Sequence, residues 1–328
     1  MDRPLTNHSP GPWTEVSREQ GIRIVEVPDF SAFFEFVNRG FGDTDTRYLW
    51  RGQRKSTWKI ESSLKRTGKR DSDLLHNFQK AVARCTHVEF RINGNDDASS
   101  EAKLRLWALG QHHGLYTPLI DWTIYPFIAL FFAFAKPDNS DFSRAVFALN
   151  WDSIGGINFH IGQKHQTFKD KLNSPPYDGA FQQEVIREYG ANFGDEVWRV
   201  EKSDISAVAR ERLIGWEKTR LENRKLKIYT PRNNENPRIH SQGGRLIYTP
   251  DDTSVEDWIK ACASDEKIKV FGNVLTKVVI PNSERTAILQ SLNRMNINYL
   301  SLFPDFEGAA KHCNLAVEDQ FRGGIREY

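Results

Sequence analysis

Four short stretches of the 328-residue chain hold side chains that could do chemistry. In the first, Tyr48-Leu49-Trp50 reads as a strand running into Arg51-Gly52-Gln53. A guanidinium fixed at a strand end can hold a diphosphate or a carboxylate through two parallel hydrogen bonds, and a glycine beside it lets the backbone approach a ligand. The same arginine could equally pair with a buried acid and serve only the fold. In the second, Gln111-His112-His113-Gly114 closes a helical pattern. Adjacent histidines on a helix do not face the same way, and no third ligand is evident, so no metal site is expected. In the third, Asp121 stands alone in the apolar run Leu119-Ile120-Asp121-Trp122-Thr123. An acid there costs free energy unless it is paired or hydrogen-bonded. A pair with Arg51 and a contact to a substrate hydroxyl would each meet that need, and Trp122 suits either the core or a stacking platform. In the fourth, His240-Ser241-Gln242-Gly243-Gly244 precedes a strand, where paired glycines suit a bulge or a close backbone approach to a ligand.

Familiar catalytic templates do not fit. The chain has no Ser/His/Asp order around a nucleophile elbow, no phosphate-cradling glycine loop of the usual form and no paired-carboxylate spacing, which removes the hydrolase, kinase and dehydrogenase patterns. Cys85, Cys262 and Cys313 are odd in number and far apart, unlike a disulfide framework or a zinc knuckle. The longest apolar run, Phe127 to Ala135, is nine residues, well short of the roughly 20 that span a bilayer. Met1 to Gln20 is polar and proline-punctuated, unlike a secretory leader, so a soluble cytoplasmic protein is expected.

A net charge of +2 conceals local imbalance. Between Arg47 and Arg70 nine basic residues face one acid, Glu61, with Tyr48, Trp50 and Trp58 interleaved. Such a block suits a solvated face. It also suits phosphate contact combined with base stacking, which makes Arg54, Lys55, Lys59, Lys65 and Arg66 candidate nucleic-acid contacts.

The elements that must position these residues read as a mixture. Strands are expected at Ile22–Val27, Leu119–Thr123, Ala145–Asn150, Arg245–Tyr248 and Lys277–Ile280, with Asn298–Phe303 as a closing strand. Asp29 is expected to cap a helix from Phe30 that Gly40 and Gly42 break. Further helices are expected at Asp71 to about Phe90, at Glu101 to about His113 and at Glu284–Met295. Thr123 is expected to cap a buried helix beginning near Pro126, where the missing proline N–H would have had no intrahelical partner. From about residue 151 to 236 the text changes character, with Pro175-Pro176, several glycines and a charged helical stretch near Ser206 to Lys227, which reads as an insertion. Without strict strand–helix alternation the expected class is α+β. The expected organisation is a polar segment over 1–20 and one domain over 21–328 that carries the insertion.

Taken in order, these motifs resemble the FRG domain family, named for an aromatic-Arg-Gly-Gln string that stands here as Trp50-Arg51-Gly52-Gln53. The resemblance continues through Leu64-Lys65-Arg66, Leu109-Gly110-Gln111-His112-His113-Gly114-Leu115 and Thr117-Pro118-Leu119-Ile120-Asp121-Trp122-Thr123. Asn236-Pro237-Arg238-Ile239, Gln242-Gly243-Gly244 and Ser301-Leu302-Phe303-Pro304-Asp305 look like later landmarks, so the likeness spans about Ile22 to Lys311. Pro118 departs from the pattern, standing where an arginine is expected.

The motif order is also similar to that of ADP-ribosyltransferases, including toxins of that kind. That implies a split mixed or antiparallel sheet with flanking helices, and NAD as substrate with no metal. By this resemblance Arg51 clamps the diphosphate or nicotinamide ribose, and Thr123 with Asp121 and Trp122 lines the nicotinamide side. Gln242 takes the third catalytic position, and Gly52, Gln53, Gln111, His113 and Thr117 complete the cofactor contacts. A glutamine cannot act as a base, so proton removal would fall to Asp121, Asp305, Glu307 or a histidine. The implied function is ADP-ribose transfer to RNA or single-stranded DNA by a toxin or defence effector that a neutralising antitoxin protein would restrain. The alternatives are a catalytically silent nucleic-acid or nucleotide-binding module, transfer to a protein, and an interaction protein whose insertion docks a partner.

Overall fold

The computed structural model describes residues 11–41, 46–68, 73–86, 101–138, 141–174, 180–181, 183, 185, 187, 207–231, 237–250, 253–265 and 272–318. The chain divides into two compact units, Met1–Gly155 with Leu226–Tyr328, and Gly156–Lys225. The second unit lies inside the stretch read as an insertion. It holds most of the helix Trp151–Leu172 and the charged helix Ala207–Glu222. Along the first of these Ile157, Ile161, Phe168 and Leu172 are buried at helical spacing, and Phe168 meets Phe181 with ring centroids 5.8 Å apart.

The first unit is built on one mixed sheet of eight strands. In chain order they are β1 (Thr14–Glu19), β2 (Ile22–Glu26), β3 (Tyr48–Gln53), β4 (Leu119–Thr123), β5 (Arg144–Asn150), β6 (Lys227–Tyr229), β7 (Gly244–Tyr248) and β8 (Leu275–Ile280). They lie side by side as β1-β2-β8-β5-β3-β4-β7-β6. The β2–β8 pair is parallel and the other neighbours are antiparallel. Pairing is full from Tyr48↔Asn150 to Gln53↔Ala145 between β3 and β5, and from Leu119↔Tyr248 to Thr123↔Gly244 between β4 and β7. Between β3 and β4 it shrinks to the single pair Trp50↔Thr123. The sheet is therefore two well-paired halves joined at one point.

Helices cover the sheet. One is α1 (Phe30–Phe41), which Asp29 opens by accepting a hydrogen bond from the Ala32 N–H at 2.8 Å. Its Phe33, Phe36 and Val37 meet the buried face of the central helix Pro126–Phe134 (Ala129, Phe131, Ala133, Phe134) and of the helix Arg285–Arg294 (Ile288, Leu292) in one core with Trp50, Val146 and Val278. Fully burying each large side chain contributes on the order of 1.5–3 kcal/mol. Gly52 is where the central helix comes nearest the sheet: a Cβ there would run into the Ala129 carbonyl and the Ala133 amide. The room left by the missing side chain at Gly52 is taken by a helix backbone.

Two arginines finish that helix. Arg144, fully buried at the start of β5, donates from Nη1 to the Ala133 carbonyl (2.6 Å) and the Lys136 carbonyl (2.9 Å), and from Nε to Asn282 Oδ1 (2.6 Å). Arg285 donates to the Phe134 and Ala135 carbonyls at 2.9 and 3.1 Å. The last carbonyls of a helix lack intrahelical partners and carry partial negative charge, which is what these cations answer.

Several expectations need correction. Asn298–Phe303 is a short helix, Tyr299–Leu302, because Asn298 and Ser301 cap it reciprocally and the buried Tyr299 and Leu302 sit one turn apart. Gly40 lies within α1, which ends at Phe41, and Gly42 lies outside the described residues. The expected helix from Asp71 to Phe90 is described over Leu74–Thr86; its two ends lie outside the described residues. Tyr125, not Thr123, is the cap of the central helix. Strand β1, inside the segment read as polar, and the helix Pro237–Gln242 were not anticipated.

Replacing Arg144 by Met strips the Ala133 and Lys136 carbonyls of this donor, and we expect it to cost about 3 kcal/mol in urea unfolding. A loss under about 1 kcal/mol would show that the cap contributes little.

Candidate functional site

A cleft of about 400 Å³ opens where the sheet splits, and Arg51 and Gly52 from β3, Asp121, Trp122 and Thr123 from β4, and Gly244, Arg245 and Leu246 from β7 line it. Gln111 and His112 close it from the helix Glu101–His112, Arg238, Ile239 and Gln242 from the helix Pro237–Gln242, and Phe132 and Phe303 from beyond. Strand alternation explains the arginine: Trp50 belongs to the core that the central helix covers and Gly52 packs on that helix, so Arg51 between them faces the other way. Its Nη1 donates to the Asp121 backbone carbonyl across the split, and its Nε is buried without a partner. The expected partnership of Arg51 with Asp121 therefore forms through the backbone, and the carboxylate is left to others.

Asp121 opens onto the cleft floor while the walls rise around it. Its Oδ1 accepts from Gln111 Nε2 at 2.6 Å, and Gln111 Oε1 in turn accepts from the Thr117 hydroxyl. Thr117 is fully buried, locked by Ser63 Oγ, which accepts from its amide at 2.9 Å. Thr117 thus orients Gln111, and Gln111 orients the acid. Enclosure pushes the Asp121 carboxyl above the usual carboxylate range, with the Arg51 charge and the Gln111 hydrogen bond opposing in that order. The same enclosure lowers Arg51, and the Asp121 charge partly restores it.

Thr123, one member of the junction pair, is buried. Its hydroxyl donates to the Gln242 carbonyl at 2.5 Å and accepts from the Tyr125 amide at 3.1 Å. Gln242 ends its helix with Nε2 donating to the Leu302 carbonyl at 3.0 Å. Gly243 follows at φ +57°, a left-handed turn that carries the chain into β7 and that a side chain would strain, since a Cβ would also meet the Tyr125 ring. Of the two histidines, both exposed, His112 lines the cleft and His113 does not. Burial lowers His112, reinforced by His113 and Arg238. Gln53 also sits away from the cleft, donating to the Lys59 carbonyl at 3.3 Å. Among the described residues no group of three or more His, Cys, Asp or Glu could hold a metal ion, and no helix is long and apolar enough to cross a membrane.

Sequence reasoning passed over Arg245 as a functional residue. Its Nε, the Trp122 Nε1 and the Arg51 Nε are three buried N–H donors without partners in the walls of one cleft. The available signal was the position of Arg245 just after the paired glycines. Arg238, noted only as a landmark, donates to Asp305 Oδ2 and Glu307 Oε2, both at 2.7 Å, and lies 5.4 Å over the Phe303 ring. The Gly308 amide and, after it, Arg238 hold Asp305 below its usual range, and Lys311 followed by Arg238 does the same for Glu307; neither acid lines the cleft, so Asp121 is the one acid among the described residues that does.

The basic block is largely engaged outside the cleft. Arg54 lies 3.3 Å from Asp138, Lys59 2.8 Å from Asp257 and Lys65 3.9 Å from Glu61. Arg66 donates to the Glu61 carbonyl, and Lys55 lies over the Trp58 and Phe142 rings at 5.9 and 4.8 Å. An exposed pair such as Lys59–Asp257 contributes roughly 0–1 kcal/mol.

The raised carboxyl has a thermodynamic signature. A folded-state value above the unfolded one means that the native state holds its proton longer, so stability falls as pH rises through the interval above the ordinary aspartate value. Asp121→Asn retains an acceptor for Gln111 and removes that fall. We expect the variant to match the parent in urea unfolding near pH 4 and to exceed it at pH 8; a variant less stable than the parent at pH 8 contradicts this.

Residues 46–142 match the family model described as the FRG domain. No curated protein and no solved structure matches the chain. The matched span holds β3 with Arg51, the helix with Gln111, β4 with Asp121 and Thr123, and the central helix; Gln242 and Arg245 fall outside it. It is narrower than the span of motifs in the sequence, and it supports placing the segment that builds the first two walls of the cleft in the FRG domain family.

Proposed function

We propose that the cleft binds NAD and transfers its ADP-ribose to a nucleic acid. The observation that carries this reading is convergence: Arg51, Asp121 with Thr123, and Gln242, nearly two hundred residues apart at the extremes, line one cavity at the split of the sheet. These are the three positions that the resemblance to ADP-ribosyltransferases implies. The Arg51 and Arg245 guanidinium groups in the cleft lining suit a diphosphate, and the aromatic walls suit flat rings.

In the proposed reaction the bond between the ribose C1′ and the nicotinamide nitrogen breaks, its electron pair leaves with nicotinamide, and positive charge develops on the ribose. That charge resembles the one in glycoside cleavage. Arg51 holds the diphosphate so that the dinucleotide stays bent, and the Asp121 carboxylate faces the developing charge. An acceptor oxygen or nitrogen attacks C1′ and its proton passes to Asp121, whose raised affinity for protons brings it nearer the working pH. Gln242 serves as a positioning group, since its side-chain amide holds the Leu302 carbonyl. RNA is the preferred acceptor, single-stranded DNA the next, and a toxin or defence effector restrained by a partner protein is the setting proposed.

One observation favours a second reading. The third position carries no acid and its glutamine is committed to the fold, as a silent nucleotide-binding module would have it.

Incubation with adenylate-labelled NAD and RNA, single-stranded DNA or protein separates the readings. We expect label on a nucleic acid together with released nicotinamide. Arg51→Lys, which keeps a donor long enough to approach the Asp121 carbonyl but loses the two-pronged hold on a diphosphate, should lower turnover about tenfold or more with little change in melting temperature. Asp121→Asn should lower transfer about 10²-fold. NAD bound without turnover would establish the silent module, and label on protein alone would remove the nucleic acid.

A further inference from the structure

A second cavity, about 250 Å³, adjoins the first and shares Phe132 and Phe303 with it as walls. Its other lining residues are Arg54, Trp58, Ala135, Lys136, Tyr299 and Lys311. The composition is one-sided: three cations and four aromatic rings, with no carboxylate among the lining residues. Lys136 is exposed at the rim, and its ammonium has no partner among the described residues. Lys311 lies 5.2 Å over the Phe303 ring, and Arg54 lies 5.3 Å over the exposed Trp58 ring.

We propose that this cavity is the subsite for one nucleotide of a single-stranded acceptor, its base among Trp58, Phe132 and Phe303 and its phosphates on Lys136, Arg54 and Lys311. A duplex keeps its bases stacked on one another, whereas a single strand offers a free base to aromatic rings and a backbone to cations. The ring faces account for the base and the cations for the phosphates, and the shared wall at Phe132 and Phe303 sets such a nucleotide beside the cleft where C1′ would be exposed. Of the carboxylates near the cations, Glu307 holds Lys311 in an exposed pair that phosphate can replace, and the more enclosed Asp138 leaves Arg54 half-exposed at the cavity. The subsite's place in a transfer reaction rests on the function proposed above, while strand binding stands by itself.

The test is fluorescence anisotropy with labelled oligo(U) and oligo(dT), beside calorimetry with NAD, on the full chain. The parent is expected to bind at least one of the two strands; stronger oligo(U) binding names RNA, and stronger oligo(dT) binding names single-stranded DNA. Lys136→Glu should weaken binding about tenfold and reduce the slope of log affinity against log salt by about 0.7 for the lost phosphate contact. Trp58→Ala should weaken it about tenfold with the slope unchanged. NAD affinity should hold in both variants. A parent that binds neither strand, or variants that bind as the parent does, overturns the subsite whatever NAD turnover shows. Strand binding that follows these changes without nicotinamide release keeps the subsite and removes the transferase.

Discussion

The hydrogen bond from Arg51 to the Asp121 carbonyl crosses the one place where the sheet is held by a single residue pair. Everything assigned to the cleft depends on that partial separation. Full pairing of β3 with β4 would seal the backbone groups and leave no cavity; complete separation would expose two sheet edges, which folded proteins avoid. The strands instead meet at Trp50↔Thr123 and part beyond it, and a charged side chain spans the gap. The side chain that holds the halves together is also the one best placed to hold an anion between them.

Such a junction needs a rigid backing, which the central helix supplies. It packs on Gly52 so tightly that no side chain fits, its apolar face fills the core, and Arg144 and Arg285 satisfy its last carbonyls. The strand that carries Arg51 is thus fixed from behind, and the guanidinium projects from a surface with little freedom to retreat. On the opposite wall, Thr117 and Gln111 do the same for Asp121 through hydrogen bonds. Both charged groups are oriented by neighbours that are themselves locked, as a preorganised site requires.

Much of this was legible in the sequence, and the exceptions have physical causes. The run Phe127 to Phe134 announced a buried helix because it is apolar on every side, and the lone acid in Leu119–Thr123 announced a special position, which proves to be the one exposed residue of β4, facing the cleft. Gly52 was legible as a close approach, but what approaches it could not be read locally, since Ala129 lies 77 positions away. Asn298–Phe303 has strand-like composition, yet a reciprocal cap and one-turn spacing of two buried residues make it a helix. Nothing local to Arg144 marks its role; only the tertiary fold reveals the carbonyls it serves. His112 and His113 could not be told apart without the angle of their helix to the cleft.

The central claim is that a dinucleotide lies across the split with its diphosphate on Arg51 and its nicotinamide end toward Asp121. A crystal structure with a non-hydrolysable carbocyclic NAD analogue tests it most directly. The account predicts the diphosphate within hydrogen-bonding distance of the Arg51 guanidinium, and the ring that replaces the nicotinamide ribose facing the Asp121 carboxyl. An analogue seated elsewhere on the chain, or a cleft that remains empty at saturating analogue, would contradict it.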